Sequence, residues 1–166
     1  MPHLSQCNEI EIFIDANIWL YAFTAHPRWG KSSHQLLKKI EAGEITGCIS
    51  HLVITETIHK LMLFEACDRF HLSRSDAINY LKKNFKAIKT LLHYRQALRQ
   101  FHQLPNLKIL EISHSVFSQS YSIIKEYQVL STDAVHLATC LLHNVNHIAT
   151  NDKDFKRMRR LTTWWP

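Results

Sequence analysis

The chain has 166 residues, with 20 Lys and Arg against 14 Asp and Glu, a formal net charge of +6 and 46% hydrophobic residues. That length suits one domain, residues 1–166, and the hydrophobic share excludes a disordered chain. No apolar run approaches the roughly 18 residues that span a bilayer, the start MPHLSQCNEIEIF lacks a secretory signal's order, and Cys7, Cys48, Cys67 and Cys140 form no CxxC pair, so a cytoplasmic protein with reduced thiols and no membrane association is expected.

Residues 10–14 (IEIFI) read as a strand, being short and rich in β-branched and aromatic side chains. Residues 32–42 read as a helix capped by Ser32 or Ser33, with Gly43 after its end. A second strand is expected at 46–50 (TGCIS), then a helix from near His51 to about Asp68. Residues 48–104 hold neither Gly nor Pro, which predicts a helical middle. Ser73 with Asp76 reads as a capping box opening a helix whose apolar residues Ile78, Leu81, Phe85, Ile88 and Leu92 share one face, with Lys82, Lys86 and Lys89 on another. After Pro105, residues 107–112 (LKILEI) read as a strand and Ser113 as a helix cap. Ser131 and Thr132 are expected to cap a helix over 133–144. Residues 147–150 (HIAT) read as a short strand, the basic run after Asp154 as a helical turn and the terminal LTTWWP as an edge strand. Strands alternating with helices predict an α/β fold with a parallel sheet covered on both faces.

Four acids stand out by setting. Asp15 and Asp152 each follow an apparent strand, Glu56 lies on the helix after the second strand, and Asp133 sits in the first turn of its helix. In an open parallel sheet, functional groups gather beyond the carboxyl ends of the strands, so all four can reach one cleft. Converging carboxylates repel one another unless a divalent cation holds them, and hard oxygen donors suit Mg²⁺ or Mn²⁺. The plainer reading is also open: Asp133 suits a first-turn acid and Asp152 a turn residue.

In this setting the chain resembles the PIN-domain ribonucleases, including the VapC-type toxins of toxin–antitoxin pairs. The motifs are IFIDANIW with Asp15 and Asn17, Glu56 after the second strand, Thr132-Asp133-Ala134 through Ala138, and Thr150-Asn151-Asp152 with Phe155. The resemblance implies a three-layer α/β/α domain around a parallel sheet of about four or five strands; the long helical, basic segment after the second strand (57–106) departs from it, being longer and more basic than in many compact toxins of the family. The resemblance also implies a Mg²⁺- or Mn²⁺-dependent endoribonuclease, commonly dimeric. Carried over residue by residue, it makes Asp15, Glu56, Asp133 and Asp152 the catalytic metal ligands, with Asn17 and Thr132 as supporting hydrogen-bonders. Asp154 is the neighbour that could replace Asp152 or cap the final helix.

The basic residues fit a polyanionic substrate. Eight Lys or Arg and one acid fall between Arg69 and Arg99, and Lys153, Lys156 and Arg157 follow Asp152. Lys82, Lys86, Lys89, Lys153, Lys156 and Arg157 are therefore candidate RNA contacts, unless that surface serves an acidic partner such as an antitoxin. Other readings start from the histidines. Glu56-x-x-His59 and Asp133-x-x-His136 have the spacing of di-iron helix bundles, while His136, Cys140 and His143 share a helix face that could suggest zinc. A non-catalytic PIN-like binding module is the remaining alternative. Trp19, on an apolar segment, is expected in the core.

Overall fold

A computed structural model describes residues 2–166 and is α/β, with a sheet of five parallel strands. The strands are β1 (Glu11–Ile14), β2 (Thr46–Ser50), β3 (Leu107–Leu110), β4 (His147–Ala149) and β5 (Thr162–Trp164), in the order β3-β2-β1-β4-β5. The residues of β1, β2 and β4 are almost all buried, as expected of a parallel sheet covered on both faces. The chain passes from β1 to β2 to β3 in one direction, then returns across the sheet to set β4 on the other side of β1. β1 and β4 therefore flank a topological switch point, where parallel sheets open a crevice beyond their carboxyl ends. Crossovers between parallel strands are right-handed almost without exception, a rule that assigns the helices before β3 to one face and those before β4 to the other.

The helices are α1 (Ala16–Phe23), α2 (Gly30–Glu41), α3 (His51–Phe70), α4 (Arg74–Lys83), α5 (Phe85–Ile88), α6 (His93–Gln103), α7 (His114–Tyr127) and α8 (Ser131–Leu142). Helix α1 grows directly from the end of β1, capped by the Asp15 side chain, and buries Trp19 completely. Trp19 packs edge-on against Phe101 of α6, 4.8 Å between ring centres, and so ties α1 to the helical middle. A second, smaller core of Leu63, Ala66, Ala77, Leu81 and Leu91 joins the distal half of α3 to α4 and α5. Among the described residues, no helix is long and apolar enough to cross a membrane, and all four cysteines are free.

Several expectations are corrected. Helix α1 has no counterpart among the elements expected from sequence. Helix α2 begins at Gly30 behind Trp29, with no side-chain cap, and Ser32 and Ser33 lie buried within it. Gly30 permits that start, because a Cβ there would sit 2.9 Å from the backbone of Ala25. Gly43 does follow the helix, at a φ of +77° that favours glycine.

The single amphipathic helix expected after Ser73 is broken. Ser73 caps α4 as expected, its Oγ accepting from the Asp76 amide at 3.2 Å, but the chain turns at Asn84 and again before α6. Phe85 and Leu92 are left 68% and 56% exposed, off the buried face. The physical reason for the second break lies on another helix. Glu65 of α3, itself buried, accepts the Leu92 and His93 amides at 2.9 Å each, and so caps α6 from outside its own sequence. Lys82, Lys86 and Lys89 consequently fall on α4, α5 and the end of α5 rather than on one helix face.

Ser131 and Thr132 are the first two residues of α8 rather than its caps. The cap position is Leu130, which has no side-chain bond to offer. The strand expected over 107–112 ends at Leu110. The basic run near the end forms a 3₁₀ turn over Lys153–Arg157, capped by Asp152 and not by Asp154.

Candidate active site

Four elements deliver the four acids to one place. Asp15 leaves the carboxyl end of β1, Asp152 follows β4, Glu56 projects from α3 and Asp133 from the first turn of α8. All four line one cavity of about 220 Å³ together with Asn17, Lys60, Leu130, Thr132 and His136. Asp154 and Lys82, Lys86, Lys89, Lys153, Lys156 and Arg157 do not line it.

Asp15 is the most constrained of the acids. Its Oδ1 accepts the Ala16 amide at 2.6 Å, while Oδ2 accepts the Thr150 hydroxyl at 2.6 Å and the Asn17 side-chain amide at 2.5 Å. Thr150 in turn accepts the Asp152 amide at 3.0 Å, and Asn17 Oδ1 accepts the Asn151 amide at 3.2 Å. The ends of β1 and β4 are thus stitched together by side chains as well as by the Asp15 amide on the Ala149 carbonyl. Thr132 reaches the cavity wall but makes no side-chain hydrogen bond among the described residues, so Thr150 supplies the support expected of it. Asp154 turns away to Arg157, at 2.7 Å.

Charge in the cleft is unbalanced. Burial raises the Asp15 carboxyl above its ordinary pKa, against the lowering effects of His136 and the Thr150 hydrogen bond. Asp133 is pushed up to about 6, first by burial and then by the Asp152 charge. Glu56 goes the other way, to about 2, because the His136 imidazole and the Lys60 ammonium favour its ionised form. Lys60 is the firm contact, at 2.7 Å. His136 Nε2 stands 3.9 Å away, too far for a hydrogen bond. Carboxyls gathered in one partly buried cleft oppose one another's ionisation, and a cation there would relieve that opposition. The donor set, mostly hard oxygen, fits Mg²⁺ or Mn²⁺.

Lys60 escapes a reading of the sequence because a lysine one turn beyond an acid on a helix ordinarily signals surface pairing. In sequence His136 suggests iron or zinc, groupings that do not assemble, or with His59 a place near the cleft, which His136 takes and His59 does not. His59 lines a separate hollow with Met62 and Lys82, Cys140 is buried in the main core, and His143 contacts the Glu111 carbonyl at 3.0 Å. Among the described residues, the group of potential donors lying within 4.8 Å of one another is Asp15, Glu56 and His136. Beside the acidic cleft a second hollow of about 430 Å³ is lined by Leu20, Tyr21, Leu63, Phe64, Cys67 and Arg74, with Asn17 and Lys60 shared between the two.

The PIN domain family profile matches residues 12–161. The chain is 28% identical over 151 residues to Ribonuclease VapC6 of Methanocaldococcus jannaschii, covering 89% of this chain and 92% of that protein. It is 29% identical over 150 residues to Ribonuclease VapC2 of the same organism, covering 90% of each. Among solved structures, a toxin–antitoxin complex from Klebsiella pneumoniae superposes with a TM-score of 0.56 at 20% identity, over 92% of this chain and 96% of that one.

Proposed function

Because the chain belongs to the PIN domain family, we propose that it is a metal-dependent endoribonuclease working in the cleft of Asp15, Glu56, Asp133 and Asp152. The observation that carries this reading is the convergence of four acids from four separate elements at the sheet's switch point, in a chain whose net charge is +6. Similarity to two proteins named ribonucleases supports RNA as the substrate.

Asp15, Glu56, Asp133 and Asp152 would hold Mg²⁺ or Mn²⁺, and the chemistry such an ion supplies is charge neutralisation at the phosphodiester and a more acidic bound water. The protein's own residues prepare that site. Thr150 and Asn17 fix the rotamer of Asp15, so the central carboxylate needs no reorganisation. Lys60 keeps Glu56 ionised and adds a positive charge at the cleft. Burial and the Asp152 charge raise the Asp133 carboxyl to about 6, so a bound cation would favour its ionised form and lower that value.

The adjoining hollow extends the path for a single strand. Tyr21 and Phe64 offer ring surface for bases, and Lys60 and Arg74 offer charge for phosphates. Lys153, exposed beside Asp152, continues the basic surface. Lys156 and Arg157 are partly engaged, over the Trp165 ring and on Asp154. Lys82, Lys86 and Lys89 present a separate exposed basic surface. Attack of water on phosphorus with cleavage of the P–O3′ bond, the departing 3′-oxygen taking up a proton, would leave 5′-phosphate and 3′-hydroxyl ends. The likeness to a toxin–antitoxin complex supports a toxin role with an antitoxin as partner. A homodimer in the cytoplasm is the working form this reading adopts, the dimer from the family resemblance and the compartment from the composition.

The test is cleavage of an end-labelled single-stranded RNA by purified protein with Mg²⁺, Mn²⁺ or EDTA. Metal-dependent internal cleavage is expected, together with its loss by at least about a hundredfold in Asp15→Asn, whose fold is retained. RNA binding without cleavage under every metal condition would overturn the enzyme reading in favour of a binding module.

A further inference from the structure

We infer that His136 is a metal ligand of this site, contributing an imidazole nitrogen beside the carboxylates of Asp15 and Glu56. The inference rests on the metal-dependent reading above and goes beyond it, because an all-carboxylate cleft requires no nitrogen donor.

The geometry of one ring carries it. His136 is 1% exposed, yet neither Nδ1 nor Nε2 has a hydrogen-bond partner. Buried polar groups are ordinarily satisfied, and an orphaned ring of two nitrogens is costly in a packed helix. The ring is held by its surroundings rather than by bonds: Phe13 of β1 lies 5.5 Å away, centre to centre, and α8 fixes the backbone. This ring borders the acidic cavity, with Nε2 3.9 Å from Glu56 Oε2. That separation is too long for a hydrogen bond and lies inside the limit of about 4.2 Å for two donors each about 2.1 Å from one cation; neighbouring ligands of one ion stand about 3.0–3.4 Å apart, so the two groups would close by under about 1 Å on sharing it. Donor atoms of Asp15, Glu56 and His136 all lie within 4.8 Å of one another. Asp133, three residues earlier on α8, lies on the same side of the helix and brings a further carboxylate to the cavity.

A nitrogen donor has a chemical consequence. Mg²⁺ prefers oxygen ligands and keeps several waters, whereas affinity for nitrogen rises from Mn²⁺ along the first transition row. A cleft that adds an imidazole to its carboxylates therefore selects Mn²⁺ over Mg²⁺, and His136 is the residue that sets this preference.

The experiment uses the untagged full chain, stripped with EDTA and loaded with Mn²⁺, in natural form and labelled with ¹⁵N-histidine. Pulsed electron paramagnetic resonance of the bound Mn²⁺ is expected to show a directly coordinated ¹⁴N that changes to ¹⁵N on labelling. Titration should show His136→Gln losing at least about tenfold of the Mn²⁺-over-Mg²⁺ preference while Mg²⁺ still binds. The spectrum of the unmutated protein decides the matter even if His136→Gln fails to fold. Bound Mn²⁺ with oxygen ligands alone overturns the role of His136 and leaves the carboxylate site intact. Absence of Mn²⁺ binding, or binding unaffected by Asp15→Asn, overturns the metal reading beneath it.

Discussion

Replacing Asp133 by Asn should make the metal-free protein more stable at neutral pH and the metal-loaded protein less so. Asp133 is raised from 3.8 to about 6 by burial and by the Asp152 charge. About two units at 1.36 kcal/mol each gives a ceiling near 3 kcal/mol for the cost of ionising it in the folded state. Its carboxyl opens on a cleft, so solvent screening reduces that to about 1–2 kcal/mol. Asn also gives up the favourable meeting of a negative charge with the start of α8, about 0.5 kcal/mol. The net expectation is a gain of about 1 kcal/mol for Asp133→Asn in EDTA at pH 7.

The sign follows from linkage. Below pH 3.8 both folded and unfolded chains carry the protonated acid and the ionisation cost vanishes. As pH rises towards 6 the unfolded chain ionises first, and above it the full cost is present. Urea unfolding followed by tryptophan fluorescence at pH 7 and near pH 4 measures this, the advantage of the variant disappearing at the lower pH. With saturating Mn²⁺ at pH 7 the order should reverse, since binding at 100 times Kd adds about 2.7 kcal/mol to whichever protein binds it. A metal-free Asp133→Asn protein less stable than its parent at pH 7 would refute the reasoning, because it would mean that this carboxylate serves the fold and not a ligand.

Three further expectations test separate parts of the structure. Thr150→Val keeps the shape but removes the hydroxyl donated to Asp15 and the acceptor for the Asp152 amide; it should cost about 1–2 kcal/mol of stability and slow cleavage by about 10–100-fold, and unchanged cleavage would remove Thr150 from the site. Glu65→Ala strands the Leu92 and His93 amides and should cost about 2–3 kcal/mol in urea unfolding, with faster amide exchange concentrated in α6; a loss below about 0.5 kcal/mol would show that α6 does not depend on this remote cap. Reversing Lys82, Lys86 and Lys89 to Glu should weaken RNA binding and flatten its dependence on salt, by about one unit of slope for each phosphate that is no longer neutralised; an unchanged slope would assign that surface to a protein partner.

What is legible in the sequence divides along a physical line. Short strands announce themselves by apolar runs, and an acid that ends such a run is conspicuous, so Asp15 and Asp152 can be placed from sequence alone. Capping is legible where the cap is local and polar, as at Ser73 and Ser113, and illegible where it is apolar or remote. Trp29 and Leu130 start helices without bonding to them, and Glu65 starts α6 from 27 residues away. The same limit governs the cleft. Lys60 is an ordinary residue in its own segment, and Thr150 and His136, though each stands in a motif, carry no sign there of the partner they will meet. Thr150 gains its role only when β4 is laid beside β1, joining it to Asp15 across 135 positions of sequence. His136 gains its role only when α8 carries its face to the same edge. A return of the chain across the sheet is a property of the whole fold, and no window of residues contains it. Acids can therefore nominate a cation site from sequence, but the groups that set its charge, its rigidity and its choice of metal come together only through that topology.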